Sequence, residues 1–150
     1  MSKISKHKSV QLIEGGTHTD DRGTIAFIND FDLTKVVRLY RITHPNTDIV
    51  RAWQGHQKES KWFHCYDGSF EMNLIKIDDW TTPSLDLKVE RHVLKGGESG
   101  VLYVPPGYAS GFRALEDNSS IMVFSDFTVP ESTNDDFRFE KNYWFKWNQL

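Results

Sequence analysis

The segment VRAWQGHQKESKWFHCYDGSF, residues 50–70, gathers Arg51, Gln54, His56 and Lys61. An imidazole, with an ordinary pKa near ~6.5, is well suited to take a proton at neutral pH. Cations beside it suit an anion or a developing oxyanion. They do not suit a divalent metal, which wants imidazole or carboxylate donors; an ammonium at Lys61 has no lone pair to give and repels a cation. Gln54 is a neutral amide and cannot act as a base. Elsewhere, Arg22 offers a planar guanidinium suited to bidentate capture of phosphate. Tyr108 and Ser110 follow a Pro-Pro-Gly turn and offer hydroxyls.

These residues need strands to position them. KVVRLYRITH alternates, with Val37, Leu39 and Arg41 on one face and Val36, Arg38, Tyr40 and Ile42 on the other. GTIAFIND, DIVRAWQGH, KWFHCY, DLKVERHVLKGG, SGVLYVPPGYASGF and SSIMVFSDF read as further strands. Asp67–Gly68 predicts a hairpin whose partner strand is SFEMNLIKID. VPESTNDD reads as a loop, and the aromatic tail FRFEKNYWFKWNQL as a strand or a docking helix. Short strands between frequent turn signals predict an all-β sandwich or barrel. A single cysteine, Cys65, cannot supply the paired-cysteine frame of an immunoglobulin domain, which favours a jelly-roll barrel. On ideal alternation Arg51 and His56 face opposite ways; a bulge at Gly55 would bring both inward.

The 150 residues suit one domain, with residues 1–10 expected to be flexible. A net charge of -3 gives no electrostatic footprint for nucleic acid or anionic membrane. The absence of a long apolar run and of paired cysteines predicts a cytoplasmic protein. His18, His44 and His92 belong to no motif and are expected to be exposed; His64 is out of phase with Lys61. Cys65, Trp53, Trp62 and Phe63 are expected in the core.

Two spacings resemble those of cupins, small jelly-roll barrels. Gln54-x-His56, Lys61 and Gly68 match the spacing of the first cupin motif, and Pro105-x-Gly107 with Ser110 matches the second. Metal cupins place His, His, Glu and His where this chain has Gln54, His56, Lys61 and Ser110, so the resemblance implies the fold without metal or other cofactor. DDRGTIAF, VRAWQGHQ, YVPPGYASGF and the stretch from Ser120 to Phe139 further resemble dTDP-4-dehydrorhamnose 3,5-epimerases. VRAWQGHQ also resembles the corresponding stretch of dTDP-sugar 3,4-ketoisomerases, and keeps the second of their two histidines as His56.

The resemblance implies a nucleotide-sugar epimerase or ketoisomerase of deoxysugar or polysaccharide biosynthesis. Its substrate would be a dTDP-linked 4-keto-6-deoxyhexose, and its assembly a homodimer with the tail at the contact. His56 would be the base, Arg51 and Lys61 would stabilise the enolate, and Arg22 would bind the diphosphate. Gln54, Tyr108 and Ser110 would contact substrate. Three positions depart from the epimerase pattern: its base is Gln54 here, its acid tyrosine falls at Phe124, and a motif histidine is Ser110. Two other readings follow. One is a non-catalytic cupin that binds a nucleotide-sugar or carbohydrate; the other is a metal-dependent cupin that uses His56 with further ligands.

Overall fold

Arg38, Tyr40, Ile42 and His44 turn their side chains inward from one strand, while Leu39, Arg41 and Thr43 face out. This period-2 division recurs along the chain and closes a barrel. The computed structural model describes residues 9–147. Its strands are β1 (Gln11–Glu14), β2 (Gly16–Asp20), β3 (Gly23–Phe27), β4 (Arg38–His44), β5 (Val50–His56), β6 (Lys61–Asp67), β7 (Ser69–Lys76), β8 (Val89–Lys95), β9 (Gly100–Val104), β10 (Tyr108–Ala114), β11 (Ser119–Ser125) and β12 (Phe137–Arg138). One short helix, α1 (Val129–Thr133), lies where a loop was expected. Thr128 and Glu131 close a capping box at its start, a local signal strong enough to nucleate a turn.

Two antiparallel five-stranded sheets face each other, in the orders β1-β9-β6-β11-β4 and β12-β5-β10-β7-β8. This is the expected all-β jelly roll. β2 and β3 form a separate hairpin that pairs with neither sheet. Neither β1 nor β2 was anticipated from sequence.

The predicted β6–β7 hairpin is not formed. β6 pairs with β9 and β11, and β7 pairs with β10 and β8. Gly68, at φ 70°, turns the chain from one sheet to the other. A Cβ there would lie 2.1 Å from Ser119 Oγ, so glycine is required by both conformation and space. The Asp-Gly pair specified a tight turn; it did not specify which strands pair.

The inner cluster contains Phe63, Cys65, Phe70, Met72, Leu74, Leu102, Phe112 and Val123. Val10 packs against it; the rest of the stretch expected to be flexible lies almost wholly outside the described residues. A second cluster covers the outer face of the β5-containing sheet. There Trp53, Ile75, Ala109 and Trp147 meet Trp80, Phe139 and Trp144. The aromatic tail packs on its own barrel, largely in turns. Burial on both faces explains why β7 shields Glu71 and Asn73 as fully as its apolar residues. Among the described residues no helix is long and apolar enough to cross a membrane.

Candidate functional site

β5 carries one more residue than β10 between two of their pairs: Gln54 faces Ser110, but Arg51 faces Phe112. The extra residue lies at Ala52–Trp53, opposite Gly111, rather than at Gly55. A Cβ on Gly111 would come within 2.8 Å of Ala52 Cβ and 2.9 Å of the Trp53 ring, so glycine makes room for the bulge. Gly55 is needed for another reason, the Trp80 ring, which a Cβ would approach to 2.8 Å. The bulge restores phase: Arg51 and Gln54, three apart, line one cavity inside the barrel.

That cavity is about 490 Å³. Arg51, Gln54, Lys61 and Ser110 line it, as the sequence predicted, together with Tyr40 and Arg138, which the sequence reading missed. Lys61 is buried at 6% exposure, and its Nζ donates to Gln54 Oε1 at 3.2 Å. Gln54 Nε2 donates to Asp136 Oδ1 at 3.0 Å, and Asp136 also accepts from Arg138 Nε at 2.8 Å. The amide of Gln54 is thus fixed from both ends. Tyr40 lies under the Lys61 ammonium, 5.9 Å from its ring centroid, and Arg38 lies 5.1 Å from the same ring. The Tyr40 hydroxyl has no hydrogen-bond partner among the described residues. Its place was readable from β4's alternation, whereas Arg138 arrives on β12, whose pairing with β5 no local signal announced.

His56 sits one layer below the cavity floor. It lines a small void of about 10 Å³, shared with Gln54, Lys61, Ser110 and Tyr108. Its Nδ1 is 2.6 Å from the Asp135 carbonyl. A carbonyl only accepts, so Nδ1 carries the proton and Nε2 a lone pair. That Nε2 is buried without a partner. Burial, then the charge of Lys61, hold the His56 pKa below the ordinary histidine value. Gly107, in the left-handed turn before β10, donates its N–H to the His56 carbonyl at 2.8 Å and anchors this end of β5. Tyr108 is nearly buried; desolvation, then Glu90, raise its phenol pKa.

His44 corrects an expectation. It is 1% exposed, not a surface histidine, because β4's inward phase carries it into the core. It stacks on Phe112 and meets Phe70 edge-on. Its Nε2 accepts from Arg51 Nε at 3.2 Å, and its Nδ1 is buried without a partner. His92, half-buried, pairs with Glu90 at 2.7 Å, and His18 is exposed as expected. Phe124 faces outward against Phe31, so no side chain at that position reaches the cavity from this strand. Burial raises the Cys65 pKa to about 11, consistent with a core thiol. Arg22 lies apart from the cavity: it sits at the β2–β3 turn, exposed, and its guanidinium pairs with Asp20 at 2.8 Å.

One described cluster has the donor types of a metal site, His56, Glu59 and Asp135. Its oxygens are committed. The Asp135 carboxylate accepts the N–H groups of Gln57, Lys58 and Glu59 at 2.8–2.9 Å. Glu59 accepts from Ser125 and Ser132 hydroxyls, each at 2.6 Å, and from Arg38 at 3.2 Å. With His56 Nδ1 protonated as well, the set does not fit a divalent ion.

A larger cavity, about 670 Å³, lies outside the barrel over Trp62 and Tyr103. Asp30, Asp32 and Asp126 line it together with Lys35 and Lys76, and it holds none of the predicted site residues.

A jelly roll with its polar cavity inside the barrel and a Pro-x-Gly turn beside it defines a cupin fold. Solved structures similar to it include epimerases and ketoisomerases of nucleotide sugars. A variant of the 3,4-ketoisomerase QdtA from Thermoanaerobacterium thermosaccharolyticum, in complex with TDP-4-keto-6-deoxyglucose, is 24% identical, with a TM-score of 0.68 over 91% of each chain. The RmlC epimerase of Mycobacterium tuberculosis is 19% identical, with a TM-score of 0.71 over 88% of this chain and 69% of that one. A dTDP sugar isomerase from Desulfovibrio desulfuricans is 16% identical, with a TM-score of 0.74 over 95% and 93%. No family profile and no curated protein matches the sequence. The chain has the fold of these epimerases and ketoisomerases.

Proposed function

We propose that this protein is a nucleotide-sugar isomerase acting by proton abstraction next to a ketone, on a 4-keto-6-deoxyhexose carried by a nucleoside diphosphate. One observation carries the reading: a neutral imidazole with an unshared lone pair lies beneath a cavity bearing Arg51, Lys61 and Arg138. The ketone acidifies the neighbouring C–H bonds. His56 Nε2 accepts the proton, and the contact between Gln54 and Lys61 parts to admit the reacting carbon. Lys61 and Arg51 meet the negative charge that develops on the enolate oxygen. The Tyr40 hydroxyl is placed to return a proton; Ser110 and Tyr108 border the sugar. Return to the same carbon gives epimerisation, and transfer through the enediol gives ketoisomerisation. The fold shared with the epimerases and ketoisomerases supports this chemistry, and the committed oxygens of Glu59 and Asp135 support a metal-independent course. We place the reaction in the cytoplasm, in deoxysugar assembly.

The working unit is a homodimer. The β2–β3 hairpin pairs only with itself and exposes Ile25 and Phe27, an apolar face that a second copy would cover. Arg22, remote from its own cavity, would serve the partner's diphosphate site. Mixing Arg22→Ala with Lys61→Ala subunits tests this: mixed dimers regain turnover if the site is shared and remain inactive if each chain works alone.

A second reading, a non-catalytic binding cupin, is favoured by the small void, which leaves His56 roofed by Gln54 and Lys61. Incubation with dTDP-4-keto-6-deoxyglucose in deuterated water, followed by proton NMR, separates the two. Loss of signal at C3 or C5 supports the isomerase. Binding without exchange supports the binder, and a protein that does neither loses the nucleotide-sugar assignment.

A further inference from the structure

Arg22, Arg38, Arg91, Arg113 and Arg138 each pair with a carboxylate. Among the described arginines, two lack a carboxylate partner: Arg41, exposed on β4, and Arg51, which lines the cavity. Among the described residues the Arg51 side chain donates one hydrogen bond, from Nε to the ring of His44. A guanidinium is always charged and always donates, so His44 Nε2 must carry a lone pair and Nδ1 the proton. That proton is buried without an acceptor. Leaving a buried donor unpaired costs roughly 1–3 kcal/mol. Phe70 and Phe112 already surround the ring, and a phenylalanine would avoid the cost.

We propose that His44 is a positioning residue: its buried neutral ring fixes the Arg51 guanidinium by Nε and leaves the terminal nitrogens and the full positive charge for an anion in the cavity. A carboxylate anchor would orient the group equally well and cancel its charge. Lys61 is treated alike, held by the neutral oxygen of Gln54. The anion is either the diphosphate or the enolate oxygen of the proposed substrate, so the functional part of the inference rests on the nucleotide-sugar reading.

The test compares wild type with His44→Phe, His44→Gln and Arg51→Ala. Solvent exchange of the Arg51 Nε–H, followed by nitrogen-proton NMR, reads the anchor directly. Titration with dTDP reads the diphosphate, and proton exchange of dTDP-4-keto-6-deoxyglucose reads the enolate. His44→Phe should fold, lose protection of the Nε–H, and lose about tenfold in one function, as expected for a hydrogen bond to a charged group. Loss in dTDP affinity identifies the diphosphate; loss in exchange rate at unchanged affinity identifies the enolate. His44→Phe added to Arg51→Ala should cost little more, because His44 acts through Arg51. His44→Gln, which restores a neutral acceptor, should recover protection and function.

Protection and function both at wild-type level in His44→Phe would overturn the proposal. So would lost protection with function intact. If wild type itself neither binds nor exchanges, the nucleotide-sugar reading fails. The Nε–H exchange then still decides whether His44 anchors Arg51: loss in His44→Phe supports it and retention overturns it.

Discussion

Lys61 Nζ and Gln54 Oε1 lie 3.2 Å apart between the barrel cavity and the void beside His56, and the acceptor is neutral. Gln54 keeps Lys61 in place without spending its charge. Gln54→Glu would pair with Lys61 and push against Asp136, now its like-charged neighbour. We expect folding to persist and dTDP affinity to fall about tenfold or more, measured by calorimetry. Unchanged affinity would mean the cavity does not use the Lys61 charge.

His56→Asn should abolish deuterium exchange into dTDP-4-keto-6-deoxyglucose, by about a hundredfold or more, the usual worth of a positioned base. Because His56 lies below the cavity floor, dTDP affinity should stay within about threefold. Exchange at the native rate would remove His56 from the mechanism.

Asp135 is a structural keystone. Its carboxylate takes three backbone N–H groups from residues 57–59, and its carbonyl takes His56 Nδ1. Asp135→Asn keeps the carbonyl contact and weakens the rest. We expect a loss of about 2–4 kcal/mol in urea unfolding, since bonds to a charged acceptor contribute roughly 1.5–3 kcal/mol each and water replaces part of them. A change below about 0.5 kcal/mol, the range of ordinary surface substitutions, would contradict this role.

Stability should also depend on mild acid. Burial holds the folded-state pKa of both His44 and His56 below 6.5, aided by Arg51 and Lys61 respectively. The unfolded chain therefore binds protons that the folded chain refuses. The contribution is full above the ordinary histidine value and declines as pH falls from there toward the folded values. The slope is at most ~1.4 kcal/mol per pH unit for each histidine. Urea midpoints compared at about pH 7.5 and about pH 5.5 should drop on acidification, and His44→Phe should drop less. A wild-type midpoint that rose instead would reverse the sign.

The strands that carry the site could be read from period-2 alternation, and so could most of the cavity lining. The Ala52–Trp53 bulge could not, because nothing in β5 marks an extra residue; the permissive glycine, Gly111, lies on the neighbouring strand. His44 is in phase with Tyr40 and Ile42, so β4's alternation placed it on their face, although it was expected to be exposed. Its lying outside every motif gave no hint of this, whereas its phase did. Arg138 and Asp135 come from a segment that reads as loop, and their roles depend on β12 reaching β5. Phe124 shows the opposite hazard, a position matched by spacing whose side chain faces the wrong side of the sheet.

The bond between His56 and Asp135 spans 79 residues. A ribosome that has just released β5 and β6 has made the histidine, both nearby cations and the amide between them, yet no pocket. The loop after His56 gains its carboxylate clasp only when the region of α1 and β12 emerges, with Asp135 lying 79 residues further along the chain. Chains that stop before Asp135 cannot hold a working base, and loss of the segment from α1 to β12 would disable the site while leaving most of the barrel's strands encoded.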